Sequence, residues 1–381
     1  MISFLKKTLA NIIIFKLKFL EKLLNINFRF IRIEQNRIGH LLTNIDQSID
    51  YMNDNFDNYY LFIYLNGECS NNFIKLQWKN SNRIFYSKLV KRFINLSNYN
   101  HEIKKYILDW DITQPAFTTL YSKKKNFFIR RNSLSNSLIK YKILNEKFIC
   151  LHNRDRYFSN IIAKDKNFLD YKNFEFSDFD KTIDKITEDS LTPVRIGKYV
   201  ESKIMNNKKI VDMTSEASND ELDVLLQYFA KFTIIGGTGL AAITTTLRKP
   251  CLYINYLPFH ARQLSWVSRN SMVIPKLIKN KNNNKFLRFN ELNEMNWDIH
   301  QQYDFISNNN LEAISNTGDD ILNGYLEMKN FIETKELSKD VEYLNKLVFE
   351  SFKDRDYANY LFKKTKIRIP GNFLKKYQDL I

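Results

Sequence analysis

Three of the nine glycines in this 381-residue chain, Gly236, Gly237 and Gly239, fall within four consecutive positions of Phe232-Thr-Ile-Ile-Gly-Gly-Thr-Gly-Leu-Ala-Ala-Ile243. The run reads as an apolar strand, a tight turn and the start of a helix. That combination suits a phosphate, because glycine lets the backbone approach an oxyanion and the N–H groups at a helix start point toward it. From Gly237 the run also matches G-x-G-x-x-A, the dinucleotide fingerprint, with Ala242 in last place. The fingerprint calls for an acid about 20 residues further on to hold the ribose hydroxyls, yet no Asp or Glu lies between Asp223 and Glu291. The same interval holds ten Lys or Arg residues, among them Arg248, Lys249, Arg262 and Arg269. A diphosphate fits such a segment better than a nicotinamide dinucleotide does. Close helix–strand packing is the alternative reading of the glycines.

A second constellation is Cys150-Leu-His152-Asn-Arg154-Asp155, at the end of an apolar run. In an α/β domain, residues just past the C-terminal end of a strand face the ligand crevice. His152 and Arg154 are therefore candidates to reach the phosphates of the glycine turn, and the guanidinium fork matches phosphate oxygens. Arg195, in Val194-Arg-Ile-Gly197, repeats the arrangement one unit later. A surface ion pair is the alternative for each. The D-x-D pairs Asp109-Trp-Asp111 and Asp178-Phe-Asp180 could share a divalent ion. Cys69, Cys150 and Cys251 lie far apart without C-x-x-C spacing, which points to neither a zinc site nor a disulfide framework and suits a reducing compartment.

These residues need strands and helices to position them. Phe28-Arg-Phe-Ile-Arg-Ile-Glu34 reads as a first strand, followed by a turn containing Gly39 and a helix over 41–52; Tyr60 to Leu65 reads as a second strand. Further strands are expected at 147–152, 210–213, 232–235 and 251–255, with a helix over 220–231 and a helical pattern from Asn316 to the end. Such alternation predicts an α/β protein of two Rossmann-like, doubly wound domains with a C-terminal helical segment. The expected divisions are a basic amphipathic helix over 1–27, an acceptor-side domain over 28–145, a nucleotide-binding domain over 146–315 and helices over 316–381. The mixed stretch over 95–146 marks the boundary between domains.

Composition supports a folded chain: 44% hydrophobic, 14% aromatic and 26% charged residues can bury a core, which argues against wholesale disorder. The charge of +16 comes from lysines spread along the sequence, so a diffusely basic surface is set against binding of nucleic acid or an anionic membrane. In residues 1–27, Phe4, Leu5, Ile12, Phe15, Phe19 and Leu23 recur near helical spacing with lysines between them. Two readings stay open, a helix packed on the protein's own core and a helix lying on an anionic membrane at its cytoplasmic face. The apolar run within it is too short to span a bilayer and has no signal-peptide cleavage pattern.

The order Leu151-His-Asn-Arg-Asp, Val194-Arg-Ile-Gly, Ser215-Glu-Ala-Ser-Asn-Asp220, Ile235-Gly-Gly-Thr-Gly-Leu and Lys249-Pro250 through Asn255 to Pro258 resembles a family of glycosyltransferases from bacterial surface-polysaccharide loci. The second half is similar to the donor domain of fucosyltransferase-like and heptosyltransferase-like enzymes, and Ile369-Pro-Gly-Asn-Phe-Leu-Lys-Lys-Tyr is similar to the family's C-terminal end. The resemblance implies a GT-B-like fold, two facing Rossmann-like domains, with a nucleotide-sugar donor held mainly by the second. It makes Arg154 the donor-phosphate ligand with His152 beside it, matches Ser218 and Asp220 to a Ser-Asp pair before the glycine turn, and matches Gly237, Thr238 and Gly239 to the turn itself. Asn255 belongs to the same donor set. Nothing in the family pattern matches 95–146.

The activity implied is transfer of a sugar from a nucleoside diphosphate to a surface-glycan or lipid-linked acceptor, with the nucleotide sugar as substrate and no cofactor. Arginines and backbone dipoles would stabilise the leaving diphosphate without an obligatory metal. A general base is expected from the first domain. His40, in Arg37-Ile-Gly-His40, is the first candidate and Asp46 the second, with Arg37 and Gly39 on the acceptor side. The rival readings are a metal-dependent D-x-D transferase, a non-catalytic nucleic-acid-binding protein and a glycoside hydrolase built on two carboxylates.

Overall fold

The computed structural model describes residues 2–81, 83–108, 147–157, 170–198, 200–201, 209–214, 219–295, 306 and 308–381. Two compact units divide the chain, Met1–Ile129 and Arg130–Ile381.

In the first unit, α1 (Ile2–Leu24) precedes β1 (Asn27–Glu34), α2 (Ile38–Asn55), β2 (Tyr59–Asn66), α3 (Asn72–Lys79), β3 (Ile84–Tyr86) and α4 (Leu89–Asn95). The three strands pair in parallel in the order β1-β2-β3. Alternation sorts their side chains: Ile31, Ile33, Leu61 and Ile63 are buried on one face, while Phe30, Phe62 and Phe85 stack in a row on the other. Trp78 ties α3 to α2 by donating from Nε1 to the Leu41 carbonyl at 3.2 Å. The turn after β1 is Gln35 to Arg37, with Gln35 N donating to Asn66 O at 3.0 Å. Gly39, expected to make that turn, lies instead in the first turn of α2, where its carbonyl accepts from Thr43 Oγ1 at 2.6 Å.

The second unit runs through β4 (Phe148–His152), α5 (Asp180–Glu188), β5 (Thr192–Arg195), β6 (Val211–Asp212), α6 (Leu222–Phe229), β7 (Thr233–Gly236), α7 (Ala242–Thr246), β8 (Cys251–Tyr256), α8 (Ala261–Leu264) and β9 (Met272–Pro275). Its six strands are all parallel, in the order β6-β5-β4-β7-β8-β9. Renumbered within the unit this is 3-2-1-4-5-6, the Rossmann order, with the direction of winding reversing between β4 and β7. β4 is buried at all five positions, as expected of a central strand covered on both faces.

The stretch after β9 departs from the sequence reading. It forms an antiparallel sheet, β11 (Lys285–Phe286), β10 (Leu277–Asn280) and β12 (Leu311–Ile314), with α9 (Phe289–Glu294) between the last two in sequence. The helices α10 (Gly318–Thr334), α11 (Lys339–Glu350), α12 (Arg355–Tyr360) and α13 (Gly371–Lys376) then close the chain. Thr317 caps α10, its Oγ1 accepting from Asp320 N while the Asp320 carboxylate accepts from Thr317 N. Arg368 bridges to Met272 beside β9, which leaves that sheet edge covered.

Asn345, on α11, anchors this closing segment. It is fully buried; its Nδ2 donates to Val341 O and Ile369 O, both at 3.0 Å, and its Oδ1 accepts from Ile369 N at 2.7 Å. Asn345→Leu strands the Ile369 N–H and carbonyl in an apolar site. The expected loss is about 2–4 kcal/mol in urea unfolding, and a change below about 0.5 kcal/mol would show that the clasp does not hold the segment.

Candidate functional site

The registers of the six-stranded sheet bring the candidate residues to one edge. Leu151 is level with Arg195 on one side and Ile234 on the other, His152 is level with Ile235, and Gly236 with Ile254. Residues 153–154, 237–239 and 255 therefore follow one another across the C-terminal ends of β4, β7 and β8. This is where an open α/β sheet forms its ligand crevice, at the switch in winding.

His152 is buried, and its Nδ1 donates to the Ile196 carbonyl at 3.0 Å, which leaves Nε2 as the acceptor of the neutral ring. Burial, followed by the charges of Arg195 and Arg154, overrides that hydrogen bond and pulls the imidazole down to about 4. Gly197 is required beside it: its φ is +130°, and an added Cβ would come within 2.9 Å of His152 Nδ1. Arg195 is also buried, with its guanidinium 4.2 Å from the centre of the Phe176 ring and 3.7 Å from Asp212 Oδ2. Arg195 is thus a packed ion-pair residue at the margin of the edge.

Arg154 is 8% exposed. Its carbonyl accepts from Phe174 N at 3.1 Å, and Asn153 Nδ2 donates to Phe174 O at the same distance. The backbone around Phe174 is thereby clipped across the ends of β4 and β7. Phe174 also explains Gly236, because a Cβ there would lie 2.9 Å from the ring. The clipped segment brings buried Tyr171 and half-buried Lys172 near Arg154, and burial with the Arg154 charge pulls the Lys172 ammonium down to about 8. Lys276, just past β9, is buried and donates to Asn173 O at 3.0 Å; burial lowers it to about 8 against the opposing charge of Asp178.

The glycine turn is tight, with Thr238 N donating to Gly236 O at 2.8 Å and a 3-10 turn over Gly239–Ala241 leading into α7. Thr238 Oγ1 and Asn255 Nδ2 are buried side-chain atoms without a hydrogen-bond partner. Asn255 adopts a left-handed φ of +49° and is clasped to Asn316: Asn255 N donates to Asn316 Oδ1 at 2.5 Å, and Asn316 N to Asn255 Oδ1 at 2.7 Å. The clasp consumes the carbonyl of the Asn255 amide and leaves its NH₂ group unmatched, a cost that a bound acceptor atom would remove.

The other candidates lie elsewhere. Asp220 sits in the turn before α6, where Asn219 Oδ1 accepts from Glu221 N and Leu222 N at 3.1 and 2.8 Å. Ser218, Asp109 and Asp111 lie outside the described residues. Among the described residues no group of three or more His, Cys, Asp or Glu side chains converges as a metal site. The cations of the acid-free segment do not all gather at this edge. Arg248 donates to the carbonyls of Thr245 and Thr246, at the end of α7 away from the glycine turn, and Arg269 donates to Lys364 O. Lys276, by contrast, lies at the strand edge, where it donates to Asn173 O. Its signal in the sequence was only its membership of that acid-free segment, and the Tyr171–Phe174 cover had none.

In the first unit, Arg37 precedes α2 and is exposed, and His40 lies in its first turn with Nδ1 3.4 Å from Asn44 Nδ2. Burial, then Arg37, lowers His40 to about 4 against the pull of Glu34. The Glu34 carboxyl is itself held below its ordinary value: burial opposes this, but hydrogen bonds from Asn66 and Arg32 prevail. Asp46 is 3% exposed and lies about 120° around the helix from His40.

No protein-family description matches the chain, and no curated protein matches it. Solved structures do. A glycosyl transferase of family 9 from Veillonella parvula DSM 2008 superposes with a TM-score of 0.52 at 8% identity, over 79% of this chain and 97% of that one. The Escherichia coli ADP-heptose LPS heptosyltransferase II matches with a TM-score of 0.45 at 9% identity, over 65% and 90%. The first likeness shows a shared fold, the α/β, GT-B-like class expected from the sequence.

His152 gives this edge a pH signature. Unfolded, its pKa returns to about 6.5; folded, it is about 4, so the unfolded chain binds the proton more readily. Its stabilising contribution is complete above about 6.5 and lost as pH falls through about 4. Between pH 7 and 4 the wild-type chain should lose roughly 3 kcal/mol more than His152→Gln in chemical unfolding. Parallel losses would remove His152 as the titrating group.

Proposed function

We propose that the chain transfers a sugar from a nucleoside diphosphate sugar to a hydroxyl of a glycan or lipid-linked acceptor. One observation carries the reading. Arg154, the Gly237-Thr238-Gly239 turn and the unmatched Thr238 Oγ1 and Asn255 Nδ2 belong to adjacent strand ends at the winding switch of a Rossmann-ordered sheet. The fold shared with a family 9 glycosyl transferase supports it.

In the proposed reaction the acceptor oxygen attacks the anomeric carbon, the bond from that carbon to the diphosphate oxygen breaks, and the diphosphate leaves with the electron pair. Arg154 and the backbone N–H groups of the glycine turn stabilise the charge that develops on it. Thr238 donates its hydroxyl proton to a phosphate oxygen, and Asn255 donates from Nδ2. Lys276 and Lys172, both lowered to about 8 by burial, regain a counter-charge when the anion binds. The acceptor proton goes to His40, whose ring is neutral at pH 7. We assign His40 this role before Asp46 because Asp46 is buried on a different side of α2. Ser218 and Asp220 keep their assignment to the donor through the family resemblance.

Thermal unfolding with the diphosphates of adenosine, guanosine, uridine, cytidine and thymidine tests the donor site. One of them should stabilise the chain, by about 2.7 kcal/mol at a hundredfold excess over Kd, and Arg154→Ala should abolish the effect. No stabilisation by any of the five would sink the reading.

His40 has its own test once a donor is known. His40→Ala should retain the donor-induced stabilisation and lose transfer by about 100-fold or more, and kcat/KM of the wild type should stay level from about pH 7 to about pH 5, falling above as Lys172 and Lys276 lose their charge and below as His40 gains one. Turnover that survives the substitution would exclude His40 as the base.

A further inference from the structure

Both readings of the N-terminal helix meet in α1, which is apolar on two opposite sides. Ala10 and Ile14 pack with Phe93, Leu96, Ile103 and Tyr106, flanked by Ile13 and Leu17, and this side fixes the helix to the first unit. At about 100° per residue, Phe4, Phe15, Phe19, Ile12, Leu5 and Leu23 fall within an arc of about 100° centred opposite that dock. They are exposed: Phe4 and Phe15 at 72%, Leu23 at 64%, Phe19 at 57%. A helix docked along one stripe ordinarily turns polar side chains outward. This one turns out three phenylalanines.

Charge selects what covers that arc. Lys16 and Lys22 are exposed on α1 at its two borders. The single acid of the helix, Glu21, faces the protein, accepting from Phe28 N at 2.9 Å, Arg29 Nη1 at 3.5 Å and Tyr106 Oη at 3.1 Å. The outward face is therefore apolar and cationic without acids. A second copy would set lysines against lysines, whereas an anionic bilayer receives phenylalanines below its headgroups and lysines among them. No helix among the described residues is long and apolar enough to cross a membrane, so the fitting geometry is a helix lying in the interface.

A second feature of the same unit repeats this chemistry. A cavity of about 250 Å³ between the sheet and α4 is lined by Phe30, Phe62, Phe85, Val90 and Phe93, and Phe93 also belongs to the core under α1. At its mouth Leu89 and Phe85 are 67% and 44% exposed, with Lys88, Lys91 and Arg92 exposed next to Leu89 in sequence.

We propose that the outward face of α1, with the Leu89 mouth beside its dock, binds the chain to an anionic phospholipid surface. The test is co-sedimentation of the full chain with vesicles of phosphatidylcholine, alone or with about one-third phosphatidylglycerol. Binding should require phosphatidylglycerol and weaken with salt. Phe15→Ser with Phe19→Ser should reduce it at least about tenfold, and Lys16→Gln and Lys22→Gln about fivefold each. The lysine variants, whose side chains are exposed, carry the test independently of any folding defect in the phenylalanine pair. Equal binding to both vesicle types, or unchanged binding in all of these variants, would overturn the proposal. So would a dimer in sedimentation equilibrium that the phenylalanine pair dissolves while vesicle binding is absent. Nucleotide stabilisation should be unaffected by these substitutions, which separates this surface from the donor residues.

Discussion

The pairing of β4 with β7 is the constraint on which the second unit depends. These two strands are neighbours in the sheet although β5 and β6 intervene in sequence, so the chain winds outward in opposite directions on either side of them. Helices that follow the two strands diverge, and a crevice opens at their C-terminal ends. The register His152 to Ile235 then decides which side chains reach it. A slip of one residue would exchange the faces of Leu151 and His152, sending an imidazole into the core and a leucine to the Ile196 carbonyl. Full burial of β4 makes such a slip costly.

Electrostatics at this edge run against the stability of the isolated chain. Arg154, Arg195 and Lys276 are all buried there, and Lys172 is close by. Of the nearby acids, Asp212 accepts from Thr214 N and Oγ1 and also faces Arg195 at 3.7 Å, while Asp155 accepts from Tyr157 N and Glu201 N. His152 responds by staying neutral and the two lysines by weakening as bases. Buried cations set close together disfavour one another's charged forms, a repulsion that a bound anion would ease. The cover over Tyr171 to Phe174 strengthens this, since it excludes water from the charges it leaves inside.

Much of this was legible in the residue order. Strands β4, β7 and β8 announce themselves as apolar runs because central parallel strands have no solvated face, while β1 and β2 show as runs that alternate between a buried and a less buried side. The glycine turn was legible because glycine is scarce in this chain. Other features were not. Gly39 looked like a turn residue for the same reason, but the turn is made by Gln35 to Arg37, which have no special conformational signature. The Asn255–Asn316 clasp joins residues 61 apart, and only the fold reveals it. The antiparallel strands β10 to β12 are only two to four residues long, so their periodicity is weak.

The ten cations around the glycine turn show why nearness in sequence is a poor guide to a shared field. In a wound α/β unit, each crossover carries the chain from the C-terminal edge of one strand to the N-terminal edge of the next. Residues a dozen positions apart are therefore often at opposite edges of the sheet. Arg248, on the way from α7 to β8, ends at the helix terminus far from the turn, while Lys276, 28 positions further on, returns to the edge where Arg154 lies. A phosphate site in such a fold is assembled from residues that recur once per strand–helix unit. That recurrence, His152 at the end of β4 and Arg154 after it, Gly237 to Gly239 after β7, Asn255 in β8 and Lys276 after β9, is the pattern to read, rather than the local density of positive charge.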